Sequence, residues 1–109
     1  MTPAEPDPAA DGPLTSALAG DADFAPLLAG YVQSVPAKRA ELIAALAVLH
    51  QNPNPLREVA HRIKGNAGGY GFPAISDAAD AVAVACREGR TADAGAAAKV
   101  LDGLLARIA

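Results

Sequence analysis

The sequence predicts an all-α protein, an antiparallel four-helix bundle that leaves room for an additional short N-terminal helix. Three observations predict it. Hydrophobic residues make up 51% of the 109 residues but aromatics only 4%, and many of the apolar positions are alanine. Strands favour β-branched and aromatic side chains, whereas alanine and leucine favour helices packed closely side by side. Apolar positions recur at helical spacing over most of the chain. Breaks rich in proline, glycine and asparagine are short, and short connections join antiparallel neighbours.

The elements follow in order. Residues 1–13, "MTPAEPDPAADGP", combine proline, alanine and acidic side chains and read as a disordered tail. The bundle is expected over residues 14–109. Asp21 or Asp23 suits the cap of a first helix carrying Phe24, Leu27, Leu28, Tyr31, Val32 and Val35. Pro36 either kinks this helix or starts a new one, and the apolar pattern resumes at Leu42, Ile43, Leu46 and Leu49. "HQNPNP" (residues 50–55) is a turn, with Asn54 as N-cap and Pro55 in the first helical position of the next helix. That helix runs towards Gly68, where "YGFP" ends it. Pro73 opens a helix carrying Ile75, Ala78, Ala79, Val82 and Cys86, which Gly89 stops. Thr91 is the expected cap of the last helix, with Val100, Leu101, Leu104, Leu105 and Ile108 on its apolar positions.

Composition bounds the function. A net charge of -3 and a pI near 5.2 argue against a nucleic-acid surface, which is normally basic. No apolar run reaches the roughly 18 residues a membrane span needs, and the N-terminus lacks the pattern of a secretory signal. The single Cys86 lies in an apolar helical pattern and reads as a small buried hydrophobe. A cytoplasmic monomer is expected.

The stretch "AHRIKGNAGGYGFP" (residues 60–73) departs from the alanine-rich norm. On a wheel of 100° per residue, Leu56, Val59, Ala60, Ile63, Ala67 and Tyr70 form a core sector. Arg57, His61, Lys64, Gly65 and Gly68 lie in another sector, so His61 points outward. Each glycine inside a helix is worse than alanine by about 1 kcal/mol. Either the helix ends near Lys64 and the glycines form a loop, or they clear space for another surface to approach His61. The apolar stripe continuing through Ile63, Ala67 and Tyr70 favours the second. An exposed imidazole is a competent nucleophile near neutral pH, and a lysine one turn away brings positive charge for a phosphoryl group. A small substrate would want a concave pocket, and the sequence shows no sign of one. A large phosphodonor fits better.

"AHRIKGNAGGYG" resembles the signature of histidine-containing phosphotransfer (HPt) domains: a histidine, then lysine at i+3, glycine at i+4, a small residue at i+7 and glycine at i+10. Here these are His61, Lys64, Gly65, Gly68 and Gly71. The resemblance covers roughly residues 14 to 109. It implies a four-helix bundle whose histidine exchanges phosphate with the aspartate of a response-regulator receiver domain, itself free-standing or part of a hybrid histidine kinase. It makes His61 the phosphoacceptor, Lys64 the phosphoryl charge stabiliser, and Gly65 and Gly68 the docking clearance. Arg57, a basic neighbour of the histidine, is a further candidate for docking. The chain is expected to hold no cofactor, and magnesium would belong to the receiver. Gly69 and the "GFP" that follows depart from the pattern.

The alternative is a non-catalytic helical adaptor that binds a receiver or kinase without transferring phosphate. Autonomous ATP-dependent kinase activity would need a nucleotide-binding domain, for which there is no room. The GxxG of Gly65 and Gly68 lacks the strands and basic charge of an RNA-binding module. The GxG of Gly69 and Gly71 follows no strand. His50 and His61, the two histidines, lie on different elements and make no metal site.

Overall fold

The computed structural model describes residues 14–108. It contains four helices: α1 (Ala25–Ala47), α2 (Asn54–Gly69), α3 (Pro73–Arg87) and α4 (Thr91–Ala106). The tail expected over residues 1–13 lies outside the described residues. Each helix packs against two neighbours, in a ring that runs α1, α2, α3, α4 and back to α1. Neighbours are antiparallel, as paired positions show. Lys64 reaches Asp80 while Gly68 faces Ser76; Arg39 reaches Asp102 while Leu49 meets Gly95. No helix among the described residues is long and apolar enough to cross a membrane.

The interior is filled by Phe72, Leu42, Leu56, Ile75, Leu101, Leu105 and Val82. Between them Ala60, Ala67, Ala79, Ala94 and Ala98 are fully buried at helix contacts. A methyl group there lets the helix backbones approach closely, which explains the alanine bias. Three apolar positions expected on the buried faces, Leu27, Ile43 and Val100, are instead exposed. Cys86 is buried, and burial pushes its thiol pKa up against a smaller opposing effect of the Arg57 charge.

α1 passes through Pro36 without ending. Proline removes one backbone donor, but Tyr31 and Val35 before it and Leu42 and Ala45 after it are all buried. Tertiary packing on both sides holds the helix together.

The expected side-chain caps are not formed. The N-caps are Phe24, Pro53, Phe72 and Arg90, none with a capping side-chain bond. Asp21 and Asn52 lie three residues and one residue before the N-caps Phe24 and Pro53, each accepting a hydrogen bond from the N–H two residues on, at Asp23 and Asn54. Such Asx turns steer the chain into the helix. A proline in the first two positions of α1, α2 and α3 already removes one of the donors a cap would satisfy. Thr91 is itself the first residue of α4.

No fifth helix precedes α1 among the described residues. Residues 14–18 instead strap the end of the bundle. Leu14 is buried and pairs with Ile108, its N–H donating to the Arg107 carbonyl at 2.6 Å. The buried Ser16 hydroxyl donates to the Tyr70 carbonyl at 2.6 Å, and the Ala17 N–H donates to the Gly71 carbonyl at 2.8 Å.

Candidate functional site

α2 carries Arg57, His61, Lys64, Gly65 and Gly68, and Gly71 of the same stretch follows its end. Its inner face is closed: Leu56, Val59, Ala60, Ile63 and Ala67 are buried, in the order the helical period dictates. Tyr70, just beyond, is half-buried. The helix does not end near Lys64; it continues to Gly69, so the apolar stripe wins over the glycines. Arg57, His61, Lys64, Gly65 and Gly68 are all exposed on the outer side.

Each glycine of the stretch has its own reason. At Gly65 and Gly69 an added Cβ would meet nothing within 4 Å, so the surface beside Lys64 is open. At Gly68 a Cβ would touch the Ser76 hydroxyl of α3 at 3.7 Å, an ordinary contact. Gly71 has φ +83°, where a side chain is strained, and a Cβ there would run into the Ser16 hydroxyl. Gly71 closes α2: its N–H donates to the Gly68 carbonyl at 3.2 Å and the Phe72 N–H donates to the Ala67 carbonyl at 2.9 Å. That pair of bonds is a Schellman motif. It swings Phe72 into the core and sets Pro73 to start α3. Gly89, with φ +73°, closes α3 in the same way through bonds to Cys86 and Ala85.

All four aromatic residues of the chain meet at this end of α2. Tyr31 stacks on Tyr70 with ring centroids 4.4 Å apart and on Phe72 at 5.6 Å, and Phe24 tilts against Tyr70 at 5.7 Å. Such a cluster fixes how α1 lies against the glycine end of α2. The Tyr31 hydroxyl is buried without a hydrogen-bond partner among the described residues, and burial raises its pKa.

The His61 imidazole forms no hydrogen bond or ion pair with any described residue. Its neighbour Lys64 does: the ammonium lies 2.8 Å from Asp80 Oδ1 on α3. That hydrogen bond and the lysine charge hold the Asp80 carboxyl below its ordinary range, with a smaller contribution from the charge of Arg87. Ser76 adds a second tie across the seam, its hydroxyl donating to the Lys64 carbonyl at 3.2 Å.

On the other side of His61 lies an open cleft of about 420 Å³, lined by Arg57, Glu58, His61, Arg62, Ala83 and Arg87. This concavity was not legible in the sequence. Arg62 is tied to Glu41 of α1 at 3.0 Å. The antiparallel register explains the cleft. Gly68 opposes Ser76 and Lys64 opposes Asp80, so His61 opposes Ala83 and Arg57 opposes Arg87. A methyl group across from an imidazole leaves a gap.

Sequence reasoning therefore found the helix, the outward histidine and the open surface at Gly65. It missed Asp80, Ala83 and Arg87. Their signal was present as spacings of 19, 22 and 26 residues beyond His61, but only the register between α2 and α3 gives those spacings meaning.

A family model described as the Hpt domain matches residues 26–109, most of the chain. No curated protein and no solved structure matches it.

Proposed function

From the premise that the chain belongs to the Hpt domain family, the phosphocarriers of two-component phosphorelays, we propose that His61 is its phosphoacceptor and trades a phosphoryl group with the aspartate of a response-regulator receiver domain. The observation that carries this reading is an exposed imidazole without a hydrogen bond, on the outer side of a helix whose inner side is fully packed. An imidazole nitrogen with a free lone pair attacks phosphorus of the receiver's aspartyl phosphate. The N–P bond forms as the P–O bond to the aspartate breaks, and the carboxylate leaves with the electron pair. The reverse step returns the phosphoryl group. Catalysis here is positioning and charge neutralisation.

The partner brings the magnesium, and this chain contributes the nucleophile, local positive charge and access. The open space at Gly65 lets a large partner come within reach of His61. Gly68 faces Ser76 across the seam with α3, and Arg57 stands one turn before the histidine, where it meets whatever docks. Lys64 stands one turn after it, within reach of the docking surface. The reading gives the chain no ATP-dependent kinase activity of its own and has it work as a monomer in the cytoplasm.

The test is to mix the protein with a phosphorylated cognate receiver and follow the label. An acid-labile, base-stable phosphoprotein is expected, and His61→Gln is expected to abolish the label with the thermal melt unchanged. A stoichiometric label surviving in His61→Gln overturns the assignment. Receiver binding without any transfer in the unaltered protein makes the chain a non-catalytic adaptor instead.

A further inference from the structure

The phosphocarrier reading assigns the phosphoryl charge to Lys64, yet the structure gives Lys64 a carboxylate of its own. Its ammonium is neutralised by Asp80 at 2.8 Å. The cleft on the other side of His61 is different. Of its three arginines, Arg62 is held by Glu41. The guanidinium groups of Arg57 and Arg87 form no hydrogen bond or ion pair with any described residue. They come from different helices and face each other across the seam. Arg57 stands one turn before His61 on α2, about 6 Å away at the Cβ. Arg87 stands one turn after Ala83, the residue that opposes His61. Both line the cleft beside His61. Glu58 is the single carboxylate lining the cleft, so it stays net positive.

Resting on the phosphocarrier reading, we propose that the phosphoryl group on His61 turns into this cleft and is held by Arg57 and Arg87, while Lys64 remains on Asp80. The chemistry fits the ligand. A phosphoryl dianion presents three acceptor oxygens, and a planar guanidinium offers paired donors that match them. Two guanidiniums from opposite walls would embrace the group from both sides. Ala83 supplies the room, having no bulk to exclude the oxygens and no acceptor to repel them. Arg87 thereby becomes a phosphoryl-binding residue contributed by α3, and Arg57 acquires a role nearer the chemistry than docking.

Phosphoramidate tests this without a receiver. The imidazole nitrogen forms the N–P bond while the donor's P–N bond breaks and ammonia leaves. Phosphorus NMR then follows the last protonation of the phosphohistidine as pH is varied. Nearby positive charge favours the dianion and lowers that midpoint. Arg57→Gln with Arg87→Gln is expected to raise it by about half a unit or more and to shorten the lifetime of the phosphohistidine. Lysine at both positions is expected to recover most of the midpoint shift by restoring charge. Lys64→Gln is expected to move it less. An unchanged midpoint in the double glutamine variant overturns the proposal, as does an equal or larger shift in Lys64→Gln. All these side chains are exposed, so helix content and melting are expected to stay constant. Failure of the unaltered protein to become phosphorylated at His61 is a separate result; it removes the phosphocarrier reading itself.

Discussion

The two ends of the seam between α2 and α3 are made by the same pair of helices and treat charge in opposite ways. At the glycine end the lysine charge and the helix terminus are both answered. Lys64 meets Asp80, Ser76 ties to the Lys64 backbone, Gly71 closes α2 and Phe72 drops into the core. The strap through Ser16 then pins the turn from outside. At the other end the Arg57 and Arg87 side chains face an open cleft with no partner among the described residues, over the small Ala83. His61 sits at the boundary. The contrast separates two tasks: the closed end fixes the helix that carries the histidine, and the open end keeps room and charge for what the histidine binds. Changes to the buried turn at the closed end should cost stability, and changes beside His61 should cost chemistry.

The sharpest blow to the closed end is Phe72→Ala. Phe72 is only 2% exposed, and emptying such a site typically costs about 3–5 kcal/mol. Urea unfolding should show that loss; a loss below about 1 kcal/mol would mean the turn is not a fixed part of the core. Gly71→Ala comes next. It combines a left-handed φ with a collision at Ser16, and about 1–2 kcal/mol is expected. A melting temperature equal to that of the unaltered chain would show that the strap and turn can relax together.

Beside His61 the expected signature is reversed. Gly65→Leu fills a surface that is now empty, so the fold should hold while phosphotransfer from a receiver slows by roughly tenfold, about 1.4 kcal/mol of barrier. Transfer at the original rate would remove the close-approach argument. The smallest effect belongs to the exposed Lys64–Asp80 pair. Because Lys64 depresses the Asp80 carboxyl, the pair's contribution is present at neutral pH and is lost as pH falls through that depressed value. Asp80→Asn should leave the unfolding midpoint at neutral pH nearly unchanged, while the acid-range change that the Asp80 carboxyl imposes on the Lys64 side-chain resonances disappears. A large drop in midpoint would make the pair structural rather than a holder of Lys64.

Much of this was legible in the sequence because it is local. The 3.6-residue period of Leu56, Val59, Ala60, Ile63 and Ala67 fixes which way His61 points, since a helix has only one way to bury that stripe. Pro73 after a glycine marks one helix ending and another starting. Cap positions were less legible. Asp21, Asn54 and Thr91 carry capping chemistry, but prolines in the first turns of α1, α2 and α3 had already removed a donor, and Asx turns took up the side chains of Asp21 and Asn52.

By itself, then, the sequence determined an all-helical bundle, the inner face of the helix that carries His61, and an outward histidine with a lysine one turn on, because helical periodicity depends on nearest neighbours along the chain. Only the tertiary structure decided that Pro36 lies inside a continuous helix, that Gly71 is a helix closure while Gly65 is open surface, and that Lys64 is paired. It alone set Ala83 and Arg87 across from His61 and Arg57. The reason is physical. The register between two packed helices is fixed by how their buried side chains interlock over the whole contact, and no window of sequence contains both sides of that contact.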